Sequence, residues 1–363
     1  MHAVHDPLKL PCGLEVAGRV ALAPLTNTQS HSDGSLGEDE LKWLLMRADG
    51  GFPWISTCAA FVSEEGKAWD GQLGIASDDH VAGLTRLAAA LRSAGSATIV
   101  QLHHAGAKAT LAPERPLTTA DRGPDGSRGA SIDDLRRVEA DFVSAARRAE
   151  RAGFSGVEIH GANGYLFTQF LAPEDNPRRD EYGGDLANRA RFLRETLQAV
   201  RAAVTADFAV GVRISPVDVW DRRGLTLDDG VQLARWLAED GADFIHLSLR
   251  GASDEPPHEP GRGPVARAVR EAVPKEVSIL AAGGIWTGKD ASRAFAAGAD
   301  VVALGRSAIA PPDWPEVSGG ADWAPSTPPW NPVRLRAAGV GPAFLDYLQG
   351  CAGMVVGGRG ARG

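Results

Sequence analysis

Three side chains near the middle of the chain have types and spacing that could serve one reaction. In the stretch GVEIHGANGYLFTQFLAP, from Gly156 to Pro173, His160 closes an apolar run, Asn163 follows three residues later and Tyr165 two beyond that. Imidazole and amide N–H groups can converge on an oxygen that gains negative charge, as the donors of an oxyanion site do. A phenol, with an ordinary pKa of about 10, is protonated at neutral pH and suited to deliver a proton. The cluster therefore fits chemistry that polarises an oxygen and protonates an atom nearby. A turn held by Asn163, with Tyr165 as packing, would use the same residues without chemistry.

Further candidates stand at the ends of other apolar runs. They are Thr26 after Ala23, Pro24 and Leu25 in APLT, Ala59 in TCAA, Gln101 in VQLHH and Arg213 in GVRIS. Gln101 is either a satisfied core amide or a two-point hydrogen-bonding group for a heterocycle edge. Arg213 needs a partner if buried. That partner is an internal carboxylate, Glu158 or Asp218, or an electron-rich ligand. The last two runs end in glycines: Gly283 and Gly284 in AAGGIWTGKD, and Gly305 before Arg306 in ALGRS. Glycines let backbone N–H groups approach an anion, and a helix N-terminus favours it, so the pair reads as a phosphate site.

These residues need a scaffold that gathers strand ends at one place. Eight runs read as strands: RVALAPL, FPWISTCAA, ATIVQLHH, SGVEIHGA, FAVGVRIS, DFIHLSL, VSILAAGGI and VVALGRS. Most are almost continuously apolar, as parallel strands covered on both faces are. Segments with helical periodicity separate them, such as DDHVAGLTRLAAALRSAG and TLDDGVQLARWLAEDGAD, the latter opening with Thr226 three residues before Asp229. Eight alternations predict a (β/α)8 barrel, with chemistry at the C-terminal strand ends and a phosphate site after strands seven and eight. A doubly wound sheet would need an early GxGxxG, which the chain lacks. The opening LKLPCGLEVAGRV predicts a β-hairpin cap, and PAFLDYLQG a C-terminal helix after a Pro-rich segment. The expected organisation is one domain over 1–363, the barrel proper at about 19–310 and a C-terminal extension at about 311–363.

Composition excludes several classes. A formal net charge of −8 without a Lys/Arg block disfavours nucleic-acid binding. Cys12, Cys58 and Cys351 are too dispersed for a disulfide framework or a metal cluster. No uncharged apolar run approaches the roughly 18 residues of a membrane span, and the first residues lack a signal-peptide pattern. A cytoplasmic setting is expected.

The region GFSGVEIHGANGYLFTQFLAPEDNPRRDEYGGDLANRARF, from Gly153 to Phe192, resembles the signature of the old yellow enzyme family of FMN-dependent ene-reductases. The pattern is a strand ending in His, then His or Asn three residues on, then GYL, FL and an N-x-R-x-DxYGG-x-x-x-NR-x-RF run. His160, Asn163, Tyr165, Asn176, Arg178, Asp180, Tyr182, Asn188, Arg189 and Phe192 all match it. The resemblance extends from APLT through QLHHAGAK and VGVRIS to ALGRS and fades over the last fifty or so residues.

The resemblance implies that Ala23, Pro24, Leu25 and Thr26 lie against FMN, that Ala59 contacts its ring and that Gln101 bonds its pyrimidine side. Arg213 would stabilise negative charge on the reduced ring, and Gly284, Gly305 and Arg306 would hold the phosphate. His160 and Asn163 would bind the substrate oxygen, and Tyr165 would donate the proton. NADH or NADPH would be the reductant, the substrate an activated alkene, the kinetics ping-pong. Two positions depart from the pattern. Thr26 stands where one branch has Cys, and Thr28 stands where some members have an active-site Tyr, which would leave Thr28 on the substrate pocket without a phenol. Another FMN barrel oxidase or dehydrogenase, a flavin-binding protein without turnover, and a cofactor-free phosphate-binding aldolase or isomerase are the alternatives. A homo-oligomer is possible, with Arg334 or Arg336 reaching a neighbour.

Overall fold

The computed structural model describes residues 3–123, 126–218, 224–319 and 323–359. A short antiparallel hairpin, β1 (Leu8–Lys9) and β2 (Glu15–Val16), comes first. Eight parallel strands then close a barrel: β3 (Val20–Leu22), β4 (Trp54–Phe61), β5 (Ala97–His103), β8 (Gly156–Gly161), β9 (Ala209–Ile214), β10 (Phe244–Ser248), β11 (Ser278–Ala282) and β12 (Val301–Leu304). Strand β12 returns to pair with β3. A two-stranded pair absent from the sequence expectation, β6 (Leu117–Thr118) and β7 (Arg128–Gly129), lies in the connection after β5. The barrel strands are the eight apolar runs, and every residue of β4, β5, β8 and β9 is buried, as strands sandwiched between a barrel interior and a helical shell must be.

Several helices start at side-chain caps. Thr226 and Asp229 form a reciprocal capping box at Leu227–Glu239, Thr287 and Asp290 another at Gly288–Ala296, and Ser131 and Asp134 a third at Ile132–Arg151. None of the helices among the described residues is long and apolar enough to cross a membrane.

The barrel interior has two levels. The floor is apolar: Trp54 meets Phe244 edge to face at 4.9 Å, among Ile99, Ala209, Leu280 and Val301, and Leu8, Leu10 and Val16 of the hairpin region pack into the same cluster. Gly211 makes this possible, because a Cβ there would lie 2.2 Å from the Phe244 ring. The level above is polar. Strand register puts Ala59 beside Gln101 and Gln101 beside Glu158, and two residues further along β8 it sets His160 beside Arg213 and Arg213 beside His246. Each strand contributes its inward residue through period-two alternation, so the site residues reach the mouth together.

Candidate active site

Two adjoining cavities occupy the mouth and share Pro24, Leu25, Arg213 and Arg306. The smaller, about 210 Å³, carries Ala23, Gly284 and Gly305. The larger, about 430 Å³, carries Thr26, Ala59, Gln101, His160, Asn163 and Tyr165. Every expected site residue but one lines one of these spaces. The exception is Thr28. Its backbone is left-handed, with φ of 54°, and its hydroxyl donates to the Asn27 carbonyl at 2.8 Å, so it is absent from the cavity wall.

His160, Tyr165 and a residue the sequence reading did not select, His103, form a cluster of rings. Centroids lie 5.3 Å apart for His103–His160, 5.1 Å for His160–Tyr165 and 4.4 Å for His103–Tyr165. The Nδ1 of His160 accepts from the Ala162 N–H at 3.2 Å, so its proton sits on Nε2. Burial, reinforced by His103, Arg213 and His246, holds His160 well below the usual histidine range, and it is a neutral donor. Burial also pushes His103 down to about 3 and raises the Tyr165 phenol above 10, against an opposing pull from Arg213. Tyr165 therefore keeps its proton.

Asn163 is held by its backbone on both sides. Its N–H donates to Ser215 Oγ at 3.1 Å, and its carbonyl accepts from Lys108 Nζ at 3.1 Å. Its φ of 61° is one that Asn tolerates better than most residues. At the glycine end, Gly283 (φ 145°) and Gly284 (φ 62°) follow β11, and a Cβ on Gly283 would lie 2.4 Å from the Leu249 carbonyl oxygen.

The chain matches the family model described as "NADH:flavin oxidoreductase / NADH oxidase family" over residues 4–318. It belongs to that family. It is 33% identical over 322 residues to "Probable NADH-dependent flavin oxidoreductase YqiG" of Bacillus subtilis, covering 85% of this chain and 86% of the relative. It is also 33% identical over 327 residues to "NADH:fumarate oxidoreductase" of Klebsiella pneumoniae, where 85% of this chain matches 35% of that longer protein. The old yellow enzyme homologue of Zymomonas mobilis superposes with a TM-score of 0.79 at 26% identity, over 90% of this chain and 94% of that one. The protein is thus an NAD(P)H-dependent flavin oxidoreductase of the old yellow enzyme family, with FMN as its cofactor.

The donor set fits FMN. Arg213 is buried, and its Nε has no hydrogen-bond partner. Glu158 acts on it through charge, while the Glu158 carboxylate accepts from Gln101 Nε2 at 2.6 Å and pairs with His246 Nδ1 at 2.8 Å. Of the two carboxylates weighed as internal partners for Arg213, Glu158 accepts its hydrogen bonds from other residues. Burial would raise the Glu158 pKa, but His246, Arg213 and the Gln101 bond outweigh it and leave the carboxyl below its usual value. The bond to Glu158 also fixes the Gln101 amide, so its carbonyl and second N–H remain for a ring edge.

Sequence reasoning missed Ser248, His103, His246 and the roof. Ser248 ends the sixth barrel strand, and the rule that picked out the other strand ends would have found it. The roof comes from the C-terminal helix Pro342–Gly350 and the residues after it, through Phe344, Tyr347, Leu348, Cys351 and Met354. Burial, the Cys351 thiol and Tyr165 raise the Tyr347 phenol, and the Thr26 hydroxyl opposes them.

Proposed function

We propose that the protein is an ene-reductase that uses NADH or NADPH to reduce the C=C bond of α,β-unsaturated carbonyl or nitro compounds. The observation that carries this reading is the convergence of a neutral His160, a pinned Asn163 and a protonated Tyr165 on one cavity beside Arg213. Bound FMN supplies hydride-transfer chemistry between the nicotinamide and the alkene. His160, through Nε2–H, and Asn163, through its amide N–H, hold the carbonyl or nitro oxygen and stabilise the charge that develops there. Tyr165 gives its proton to the α-carbon, so one hydride and one proton add across the double bond while NAD(P)H becomes NAD(P)+. Gln101 and Arg213 would hold the two ends of the pyrimidine edge, with Thr26 and Ala59 against the ring. Gly284, Gly305 and Arg306 would hold the phosphate. One cavity serves reductant and alkene in turn, which favours ping-pong kinetics. An FMN barrel oxidase would use the same phosphate glycines without needing the His–Asn–Tyr set.

Tyr165→Phe tests the reading, because it keeps the ring and removes the proton. Anaerobic stopped-flow traces are expected to give flavin reduction near the wild-type rate. Reoxidation by an enone should be slower by roughly two to four orders of magnitude, the range for positioned acid catalysis. Equal slowing of both half-reactions, or unchanged enone reoxidation, would remove Tyr165 as the acid.

A further inference from the structure

Ser248 has a defined place in a polar chain across the mouth of the barrel. The Arg213 guanidinium, which can only donate, gives Nη2–H to Ser248 Oγ at 3.1 Å. Ser248 Oγ in turn lies 3.0 Å from Asn163 Oδ1 and gives its one proton to it. The direction of each bond follows from its ends, because a guanidinium only donates and an amide oxygen only accepts. The order Arg213, Ser248, Asn163 thus links β9, the end of β10 and the turn after β8.

We propose that Ser248 is a positioning residue that sets the Asn163 amide in its substrate-binding orientation and couples it to Arg213. An amide has two faces, one accepting and one donating, and a flipped Asn163 would present its oxygen to the substrate oxygen. The flip would break the bond from the Ser248 hydroxyl to Oδ1. With Oδ1 occupied by the Ser248 hydroxyl, the Nδ2 donors remain for the cavity that Asn163 lines. Hydrogen bonds in series also polarise one another. The positive charge of Arg213 draws electron density from Ser248 Oγ, which makes its hydrogen a stronger donor to Asn163 and the Asn163 N–H a stronger donor to the substrate. The backbone bonds to Ser215 and Lys108 fix the turn but leave the side-chain torsion open, so the orientation of the amide rests on Ser248. Gln101 shows the same device one strand away, where Glu158 fixes the amide. The inference rests on the ene-reductase reading, in which Asn163 binds the substrate oxygen.

The test is a double-mutant cycle on the FMN-loaded protein, titrated with 4-chlorophenol and read by the long-wavelength charge-transfer absorbance of a phenolate beside flavin. Ser248→Ala is expected to weaken phenol binding about three- to tenfold, as loss of one net hydrogen bond does. Ser248→Thr, which keeps the hydroxyl, should stay within about twofold of wild type on the same ground. In the Asn163→Ala background, Ser248→Ala should have no further effect, because the group it orients is gone. Equal loss in both backgrounds would show that Ser248 acts on the flavin side instead, and equal loss in the Ala and Thr variants would show that packing acts. Either result overturns the proposal, as does a Ser248→Ala variant with wild-type affinity. A wild-type holoprotein that gives no phenol band at all would sink the underlying reading first.

Discussion

Arg47 and Arg213 are both buried arginines, and the structure treats them in opposite ways. Arg47, on the helix Glu38–Asp49, gives Nε to the Ala308 carbonyl at 3.1 Å and Nη2 to Ile309 at 2.6 Å. Its Nη1 reaches Trp43 at 2.9 Å and Ala338 at 2.8 Å, and the guanidinium lies 4.1 Å from the centre of the Trp43 ring. It ties the first helix of the barrel to the segment after β12 and to the C-terminal region that roofs the site. Arg213 has far less. Its Nη groups reach the Pro24 carbonyl at 3.5 Å and Ser248 Oγ at 3.1 Å, and its Nε has no partner. A buried charge left partly unsatisfied is costly, and it persists where something other than protein completes it. One arginine is finished by the fold, and the other stands on the wall of both site cavities with few protein partners.

Removing each charge should therefore be felt in different places. Arg47→Met strips a hydrogen-bonding cation from four buried carbonyls. It should cost about 3–5 kcal/mol of stability, the range for breaking a buried charged network, measured by denaturant unfolding of the holoprotein, with the flavin potential unchanged. Arg213→Met would, on the proposed reading, remove a charge-assisted contact to the cofactor. FMN should bind about 10- to 100-fold more weakly, the equivalent of losing a hydrogen bond to a charged group, and the flavin potential should fall. Titration of FMN into the apoprotein and spectroelectrochemistry would measure both. An Arg213→Met protein with full FMN affinity and an unchanged potential would erase the distinction between the two arginines.

The smallest expected effect is that of pH. His160 lies well below its ordinary value and Tyr165 above 10, both through burial first. Neither group changes charge between about pH 6 and about pH 9. Protonating His160 requires more acid than an ordinary histidine needs, and ionising Tyr165 more base than an ordinary phenol needs. The rate constant of flavin reoxidation by an enone should be flat across that window. A limb near pH 6.5 would show that His160 titrates normally and is not the desolvated donor described here.

The fold was legible because most barrel strands are almost continuous apolar runs, and most have a polar or glycine residue at the end. The cap signals at Thr226, Thr287 and Asp185 mark helix starts locally. His160, Asn163 and Tyr165 could be read because they lie close together in the chain. What could not be read depends on contacts between distant residues. The bond between Ser248 and Asn163 spans 85 positions, and that between His246 and Glu158 spans 88. Tyr347 meets Thr26 only because the C-terminal helix folds back over the mouth. Thr28 does not line the cavity, and spacing gives no sign of the left-handed backbone it adopts.

The central claim is that the flavin of this protein passes its electrons to an activated alkene. It is tested most directly by watching the flavin absorbance of the wild-type holoprotein through two anaerobic additions. NADPH or NADH should bleach it, and cyclohexenone, added next, should restore it with formation of cyclohexanone. Bleaching with no recovery from any enone or nitroalkene, followed by recovery on admitting oxygen, would contradict the claim and leave a flavin oxidoreductase whose acceptor is not an alkene.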